Sequence, residues 1–391
     1  MKILTRTIWI LSLISLFGDI ASEMLYPVMP VYLRSIGFSI VLIGVLEGVA
    51  EAIAGLSKGY FGRLSDSMGR RLPFVQLGYL FSAVAKPMMA LFLHPLWIFF
   101  ARTSDRLGKG IRTGARDAIL SDEAGKANKG RVFGFHRAMD TLGAVLGPTI
   151  ALVYLYYYPE SYRTIFLFAI IPGIFSVALT FLIREKKGML HPTGKRVSFL
   201  SFFSYWKESP PTYRKIVGGL LVFALANSSD IFLLLKMKET GASDTTLIGI
   251  YIFYNLVYAL FSYPLGILAD QIGLKRMLII GLVVFSAVYF LVGTGNSVEI
   301  YIAVFLLYGI YAAATEGIAK ALISNVTERR DTASAIGTFS GLQSICAMIA
   351  SSLAGFIWLQ FGMAVTFILS GTAALLVAIY FLLAVPIPVD K

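Results

Sequence analysis

The sequence predicts an all-α membrane protein in which twelve transmembrane helices form two six-helix, pseudo-symmetric halves around a central cavity. Three observations support this fold class. The chain has 391 residues, of which 57% are hydrophobic and 14% charged, whereas a soluble domain carries about 25% charged residues. Apolar runs of about 20 residues, long enough to cross a bilayer, recur along the chain. A short polar motif of the first half reappears in the second.

The apolar runs define the spans in order, starting near the N-terminus. Lys2 and Arg6 precede an apolar segment as in a signal peptide, but hydrophobicity continues past Asp19 to Pro30, which predicts a first transmembrane helix instead. The only cysteine, Cys346, excludes an internal disulfide. The predicted spans are 8–31, 40–61, 72–93, 96–117, 132–155, 163–183, 214–235, 246–266, 275–294, 299–323, 333–358 and 363–385.

The net charge of +12 is a topology signal and does not indicate nucleic-acid binding. Basic residues concentrate in the loops of one side, whereas the other side has little beyond Arg34, Arg163, Lys236 and Lys238. Positive loops stay in the cytoplasm. We therefore expect a multi-pass protein of the cytoplasmic (inner) membrane that contacts the lipid bilayer, has both termini in the cytoplasm and functions as a monomer.

The longest polar interruption separates the two halves. Residues 184–215 combine basic residues with the pair Pro210–Pro211, as linkers do. The predicted organisation is an N-terminal half (1–183), a basic cytoplasmic linker (184–213) and a C-terminal half (214–391). The halves are similar, because GRLSDSMGRR (62–71) returns as GILADQIGLKR (266–276) at an offset of 204 residues. Parallel six-helix repeats are typical of transporters.

Three short motifs resemble those of the major facilitator superfamily. GRLSDSMGRR resembles motif A through Gly62, Asp66, Gly69, Arg70 and Arg71, with Ser67 where a basic residue is usual. RLGKG (106–110) resembles motif B, with Lys109 where glutamine is common. GAVLGP resembles the start of motif C through Gly143, Gly147 and Pro148, although Ala151–Leu152 replaces a glycine pair.

The resemblance implies the fold of that superfamily and secondary active transport of a small organic molecule by alternating access. Motif C is associated with the drug/proton antiporter branch, so the expected activity is proton-coupled export. One alternative is a transporter of an organic anion or zwitterion, such as a carboxylate, siderophore or phosphorylated metabolite. A more distant alternative is a membrane receptor or enzyme with a polar intramembrane site.

The fourth predicted span contains a stripe of charged residues. At 100° per residue the stripe covers an arc of roughly 120°, and a charge at the bilayer centre costs at least about 2.5–3.5 kcal/mol. The stripe is therefore expected to line the substrate cavity. Its members are Arg102, Asp105, Arg106, Lys109, Arg112 and Arg116.

Acidic residues on other spans have two interpretations. Asp19 and Glu23, together with Arg106, are the candidates for proton coupling, because a cation nearby lowers the pKa of a carboxyl group and desolvation raises it. Arg106 also matches the motif B arginine, which the resemblance assigns to this role. Glu47, Glu51 and Asp140 are candidates for the substrate cavity, and these three acids equally suit neutralisation of the basic stripe. Arg137 is a further candidate for the cavity.

Motif A predicts a conformational latch at the cytoplasmic side. Asp66 is expected to pair with basic residues of its own loop, and Arg70 to reach Asp117 at the end of the fourth span. Gly62 and Gly69 allow close approach and a turn. For Gly143, Gly147 and Pro148, ordinary helix packing is an alternative to a role in antiport.

The C-terminal half is less charged. Its candidates for the cavity are Asn227, Asp230, Asn255, Glu316 and Lys320, of which the last two are spaced to pair. Tyr251, Tyr254, Tyr258, Tyr308 and Tyr311 suit either substrate contact or packing.

The sequence gives no indication of an enzyme. It has no Walker loop, dinucleotide fingerprint or nucleophile elbow, and His94, His136 and His191 do not cluster. We therefore expect no metal and no cofactor, with protons and a small-molecule substrate as the binding partners.

The charge distribution makes a topological prediction. Single cysteines introduced in the 184–215 loop or at either terminus, with Cys346 replaced by serine, should react with a membrane-impermeant thiol reagent from the cytoplasmic side only. Labelling of any of these sites from outside would contradict the twelve-span topology.

Overall fold

The computed structural model is helical over most of each predicted span. It describes residues 3–184, 197–198, 202–228, 230–294 and 298–385. Each predicted span coincides with one helix or with two consecutive helices, which confirms the all-α prediction. Residues 185–196 and 199–201 of the predicted linker lie outside the described residues.

The helices follow the predicted spans in chain order. Those up to the linker are α1 (Arg6–Glu23), α2 (Met29–Ser35), α3 (Ile40–Met68), α4 (Leu72–Leu91), α5 (Pro95–Glu123), α6 (Lys129–Tyr157), α7 (Tyr162–Phe168) and α8 (Ile170–Thr180). The others are α9 (Phe202–Glu208), α10 (Pro211–Ala226), α11 (Ile231–Glu239), α12 (Asp244–Ile272), α13 (Leu274–Thr294), α14 (Val298–Asn325), α15 (Thr332–Phe361) and α16 (Met363–Ala384).

The seventh predicted span is broken at polar residues. Its first part, α10, ends at Asn227, whose backbone is extended, and α11 begins after Asp230. A break at membrane depth is tolerated where the freed backbone and side-chain groups face protein or a polar cavity. The interruption therefore marks a polar region of the fold.

Eight helices in the described part of the chain are long and apolar enough to cross a membrane by length and composition alone. The predicted spans outside this set are those that charge or a break interrupts. They correspond to α1, α3, α5 and the α10–α11 pair.

The chain forms two compact units. Unit 1 comprises Met1–Ala124, Met139–Glu208 and Glu328–Gly341, and unit 2 comprises Gly125–Ala138, Ser209–Thr327 and Leu342–Lys391. Each unit thus contains most of one predicted half together with the first turns of a helix whose remainder belongs to the other unit.

Helix α5 is the central element of unit 1, where it packs against both α3 and α4. Glycines make these contacts close. A methyl group added at Gly108 would lie 2.6 Å from the carbonyl oxygen of Gly78 on α4, and one added at Gly110 would collide with Ser57 on α3. Small residues at helix contacts allow such approach in membrane proteins. Polar side chains of adjacent helices are thereby brought within bonding distance.

Unit 2 is held together by contacts of α13 with α14 and α16, and of α12 with α14. Aromatic residues fill its centre. The rings of Phe285 and Tyr289 on α13 stack with centroids 3.9 Å apart, and Phe285 meets Tyr311 of α14 edge-on at 4.8 Å. Phe285, Tyr289 and Tyr311 are all buried, so aromatic rings form a large part of the core of unit 2.

Candidate functional site

Helices α3 and α5 are joined by two ion pairs at matching spacing. Glu47 and Glu51 lie one turn apart on α3, and Arg102 and Arg106 lie one turn apart on α5. Arg102 donates two hydrogen bonds to Glu47, at 2.8 Å and 2.7 Å. Arg106 Nε lies 3.7 Å from a carboxylate oxygen of Glu51. The acids therefore neutralise these two arginines, as one of the sequence interpretations held.

Helices α4 and α5 share a second, fully buried charged cluster. Lys86 Nζ donates to Asp105 at 2.8 Å and to the carbonyl oxygen of Ser82 at 2.9 Å. The Arg112 guanidinium donates to Ser82 Oγ at 2.7 Å and lies 4.2 Å above the ring centroid of Tyr79. Hydrogen bonds and a cation–π contact thus compensate the desolvation of these charges.

The structure gives most of the charged stripe on α5 buried positions beside charged or polar partners. Arg102, Asp105, Arg112 and Arg116 are 3–7% exposed. Only Lys109 among the stripe residues is exposed. The physical reason is that neighbouring helices supply partners, which the periodicity of one helix cannot reveal. Lys86, which the sequence gave no reason to include, belongs to this cluster.

A carboxyl pair links α1 to α6 within unit 1. The Asp19 and Asp140 carboxyl groups approach each other within hydrogen-bond range, and Lys109 and Glu23 lie within electrostatic range of Asp19. Asp140 is also 3.9 Å from Arg116 Nη1. Arg116 donates further to Asp117 at 2.9 Å and to Ser15 Oγ at 2.8 Å.

The glycines of the motif C resemblance allow this pair to form. A methyl group at Gly143 would lie 2.8 Å from Asp19 Cβ, and one at Gly147 would lie 2.7 Å from the backbone nitrogen of Met24. Pro148 follows inside α6. Since neither glycine position has room for a side chain, both let α6 approach α1 at the height of Asp19.

The three predicted coupling residues do not form one contact group. Asp19 bonds to Asp140, whereas the ion pair of Arg106 is with Glu51. Glu23 lies within electrostatic range of both Lys109 and Arg106. Sequence reasoning assigned Asp140 and Lys109 to the substrate cavity and did not associate them with Asp19.

A second cluster surrounds Asp66 at the other end of α3. Its carboxylate accepts from Arg71 at 2.8 Å and from the backbone N–H and hydroxyl of Ser334 at 2.7 Å and 2.9 Å. Arg71, fully buried, also pairs with Asp122 and donates to the carbonyl oxygen of Arg329. A side chain at Gly62 would collide with the carbonyl oxygen of Ala333. Gly69 takes φ +64° where α3 ends.

The expected partners within this cluster were wrong in one respect. Arg70 is exposed, and the arginine that pairs is Arg71. Asp117 precedes Asp122 on α5 and is fully buried against Arg116, whereas Asp122 pairs with Arg71. The sequence contains Asp122 shortly after Asp117 on the same helix. Only the structure shows that α5 continues to Glu123, which places Asp122 within reach of Arg71.

The linker helix α9 packs beside this cluster. Arg63 donates to both carboxylate oxygens of Glu208 at 2.9 Å and to Ser204 Oγ at 3.0 Å. Burial raises the pKa of the Tyr205 phenol, and the carboxylates of Asp331 and Asp66 raise that pKa further.

Unit 2 contains the counterpart of the Asp66 contact. Asp270, offset by 204 residues, accepts from the backbone N–H groups of Gly130 and Arg131 at 2.7 Å and 2.9 Å. Each carboxylate therefore binds the first turn of a helix, where unpaired N–H groups and the helix dipole favour an anion.

The polar candidates of unit 2 gather around tyrosines. The Tyr308 hydroxyl donates to Asp230 at 2.5 Å, and Asn227 Nδ2 donates to the Tyr311 hydroxyl at 3.1 Å. The ring centroid of Tyr308 lies 5.1 Å from that of Tyr254 and 5.3 Å from that of Tyr311. The structure thus brings together candidates from the broken seventh span, α12 and α14.

Three further candidates lie near this group. Arg137 donates to Glu316 at 3.0 Å, and its Cζ is 5.9 Å from the ring centroid of Tyr258. Asn255 donates to the carbonyl oxygen of Tyr251 within its own helix at 3.0 Å. Lys320, one turn after Glu316, is half-buried. Among the described residues, no group of His, Cys, Asp and Glu side chains is arranged to hold a metal ion.

Comparison with known proteins gives a consistent family match. The model described as Major Facilitator Superfamily matches residues 11–237 and 216–391. An uncharacterized MFS-type transporter of Methanocaldococcus jannaschii is 33% identical over 361 residues, which cover 91% of this chain and 89% of that protein. Multidrug resistance protein 2 of Bacillus subtilis is 27% identical over 143 residues, which cover 37% of this chain and 35% of that protein.

A solved structure shares the fold. The crystal structure of the human organic anion transporter MFSD10 superposes with a TM-score of 0.81 at 16% identity, covering 96% of this chain and 99% of that one. At this identity the likeness establishes the architecture alone.

The buried Lys86–Asp105 pair gives a stability prediction. Lys86→Met leaves Asp105 without its closest cation, so we expect the free energy of unfolding to fall by about 3–5 kcal/mol. The measurement is the thermal unfolding midpoint of the purified chain in detergent. Because an apolar replacement of both partners removes the unpaired charge, Lys86→Met/Asp105→Leu should recover much of the loss. The control is Lys126→Met at an exposed position, and equal midpoints for Lys86→Met and Lys126→Met would refute the prediction.

Proposed function

This chain belongs to the major facilitator superfamily, and we propose that it is a proton-coupled exporter of a small organic molecule. Membership makes it a secondary transporter of a small molecule and not an enzyme. Coupling to protons, export and the residues that perform them are the proposal.

The observation that carries the proposal is the close approach of the Asp19 and Asp140 carboxyl groups, at the point where Gly143 brings α6 against α1. Two ionised carboxylates have only acceptor atoms, so a bond between them requires one proton. Asp140 also faces Arg116 at 3.9 Å, which favours ionisation of Asp140. Asp19 then holds the proton and donates it to Asp140. The pair is a site for one exchangeable proton in the transmembrane part of unit 1.

The surroundings of the pair allow the proton to leave. Without it, two adjacent carboxylates repel each other, and each disfavours the other's charge. Lys109 lies within electrostatic range of Asp19 and Glu23 and is exposed. Its ammonium group can move towards the deprotonated Asp19 and compensate the new charge. Loss and gain of the proton thereby switch the side chains between two arrangements. Coupling to a proton gradient requires such a switch.

Export is supported by two observations. Gly143 and Gly147 resemble motif C, which is associated with antiporters, and they pack directly against the α1 backbone at Asp19. A relative that matches part of the chain is named multidrug resistance protein 2. We propose that a proton taken up from outside is released to the cytoplasm in exchange for outgoing substrate.

The basic residues of α5 give little support to an anionic substrate. Arg102 and Arg106 face Glu47 and Glu51, Lys86 faces Asp105, and Arg116 faces Asp117. Arg112 donates a hydrogen bond to Ser82 and lies over the ring of Tyr79. Because most of these cations already have partners inside unit 1, with Lys109 as the exposed exception, the organic-anion alternative has less support.

The coupling test uses proteoliposomes that contain the purified chain and a pH-sensitive dye. A panel of organic cations, anions and neutral compounds is added under an imposed pH gradient, and a coupled substrate changes the internal pH. Asp19→Asn and Asp140→Asn should abolish proton movement but retain exchange of labelled substrate for unlabelled substrate. Glu239→Gln, at an exposed acid, is the control. Proton movement by Asp19→Asn at the wild-type rate would refute the proposal.

We propose further that the Asp66 cluster is the latch of the transport cycle. A charged hydrogen bond contributes roughly 1.5–3 kcal/mol, and 1.4 kcal/mol corresponds to a factor of ten. Asp66→Asn weakens the bonds to Arg71 and Ser334, so the transport rate should fall by about tenfold or more, while expression and insertion stay unchanged. Glu328→Gln alters an exposed acid beside the cluster and should transport normally. Wild-type transport by Asp66→Asn would exclude the latch.

A further inference from the structure

The acidic and aromatic group of unit 2 is not used by the proposed proton site. We call it the tyrosine site and define it by Asn227, Asp230, Tyr254, Tyr308, Tyr311 and Glu316. Asp230 and Glu316 are close enough to interact electrostatically, and Glu316 also lies within electrostatic range of Tyr254 and Tyr311. Two carboxylates therefore lie near one cluster of tilted tyrosine rings.

The site contains hydrogen-bond acceptor atoms that are not fully used. Asp230 accepts from Tyr308 at 2.5 Å and keeps further acceptor capacity. Asn227 commits its amide N–H to Tyr311, while its Oδ1 is buried with no hydrogen-bond partner in the described part of the chain. A buried acceptor of this kind costs about 1–3 kcal/mol unless a donor reaches it. Asn227 Oδ1 therefore requires a hydrogen-bond donor that the described part of the chain does not supply.

A cation already occupies one edge of this region. The Arg137 guanidinium donates to Glu316 at 3.0 Å and lies 5.9 Å from the centroid of Tyr258. The ring of Tyr258 is in turn 6.1 Å from that of Tyr254 in the tyrosine site. A carboxylate and a π-face within about 6 Å are the two elements that recognise an organic cation. Arg137 is therefore a cation held by a carboxylate and an aromatic ring at the edge of the tyrosine site.

We propose that the tyrosine site binds an organic cation, and that Arg137 is a tethered competitor for it. This inference rests on the proposed transport function and names its substrate class: an amine, guanidine or quaternary ammonium on a hydrophobic body. The positive group lies against Tyr254 and Tyr308 and between Asp230 and Glu316. An N–H of a protonated amine also satisfies Asn227 Oδ1. Binding draws Glu316 away from Arg137, which releases the guanidinium.

Anions and uncharged ligands fit the same atoms less well. An anion would face Asp230 and Glu316 without a free cation in the tyrosine site, and like charges in a desolvated site repel strongly. A neutral hydroxyl compound can donate to Asn227, but it gains neither the carboxylate attraction nor the cation–π contact. The charge of the ligand is therefore the property to test.

The experiment measures binding to the purified full chain in detergent by isothermal titration calorimetry, without a pH gradient. Tetraphenylphosphonium and tetraphenylborate match in shape and differ in charge, and benzyltrimethylammonium and benzenesulfonate form a smaller pair. We expect both cations to bind, and we expect neither anion to displace a bound cation. Asp230→Asn should weaken cation binding by about tenfold or more, since losing one member of a buried charge pair costs about 2–5 kcal/mol. Glu239→Gln is the matched control.

Arg137 variants separate the proposal from a merely structural role. Arg137→Ala removes the competitor and leaves Glu316 open, so cation affinity should rise by about three- to tenfold, equivalent to roughly 0.7–1.4 kcal/mol. Arg137→Lys keeps a charged competitor and should bind like the wild type. A structural role of Arg137 predicts the opposite sign, a loss of affinity in the alanine variant.

The proposal is overturned if tetraphenylborate or benzenesulfonate binds as tightly as its cationic partner. It is equally overturned if no cation binds, if Asp230→Asn leaves affinity unchanged, or if Arg137→Ala weakens binding. Failure here is distinguishable from failure of proton coupling. Proton movement that persists in Asp19→Asn, with intact cation binding, refutes only the coupling, and persistent coupling with an anionic substrate refutes only the tyrosine site.

Discussion

The pairing of buried charges along α5 is the constraint on which unit 1 depends. An isolated charge is unfavourable in the hydrocarbon region, and a buried pair is tolerated only with good geometry and additional hydrogen bonds. Helix α5 meets this condition by distributing its charges to two neighbours, with Glu47 and Glu51 on α3 and with Lys86 and Ser82 on α4. These contacts fix the register of three helices. They also leave Lys109 as the exposed cation of the stripe, next to the Asp19–Asp140 pair.

Close backbone approach makes the pairing possible. Gly108 against Gly78, Gly110 against Ser57 and Gly143 against Asp19 bring short acidic and basic side chains within bonding distance. Larger residues at these positions would separate the helices and leave charges unpaired in a nonpolar region. The glycines and the charges of unit 1 are therefore parts of one arrangement, in which small residues determine distance and ion pairs determine register.

In unit 2, polar groups at membrane depth have partners of a different kind. Tyrosine hydroxyls supply the partners of Asp230 and Asn227, and aromatic rings fill the space that charged side chains fill in unit 1. This arrangement leaves acceptor atoms and π-faces available, whereas unit 1 consumes most of its charges internally. The division is consistent with a proton site in unit 1 and an organic-cation site in unit 2.

The sequence by itself determined the fold class, the helical spans and most of the residues that matter, because hydrophobic runs, the 204-residue repeat and intramembrane charges can be read along one dimension. Periodicity identified the α5 stripe, but it could not assign Asp105 to Lys86, Arg106 to Glu51 or Asp19 to Asp140. Those choices depend on distances between helices far apart in the chain, which glycine contacts such as Gly143–Asp19 set. Likewise, the spacing of Glu316 and Lys320 was visible, whereas the approach of Arg137 to Glu316 was not. Only the tertiary structure decided which charges are neutralised, because burial and partnership are properties of the packed helices.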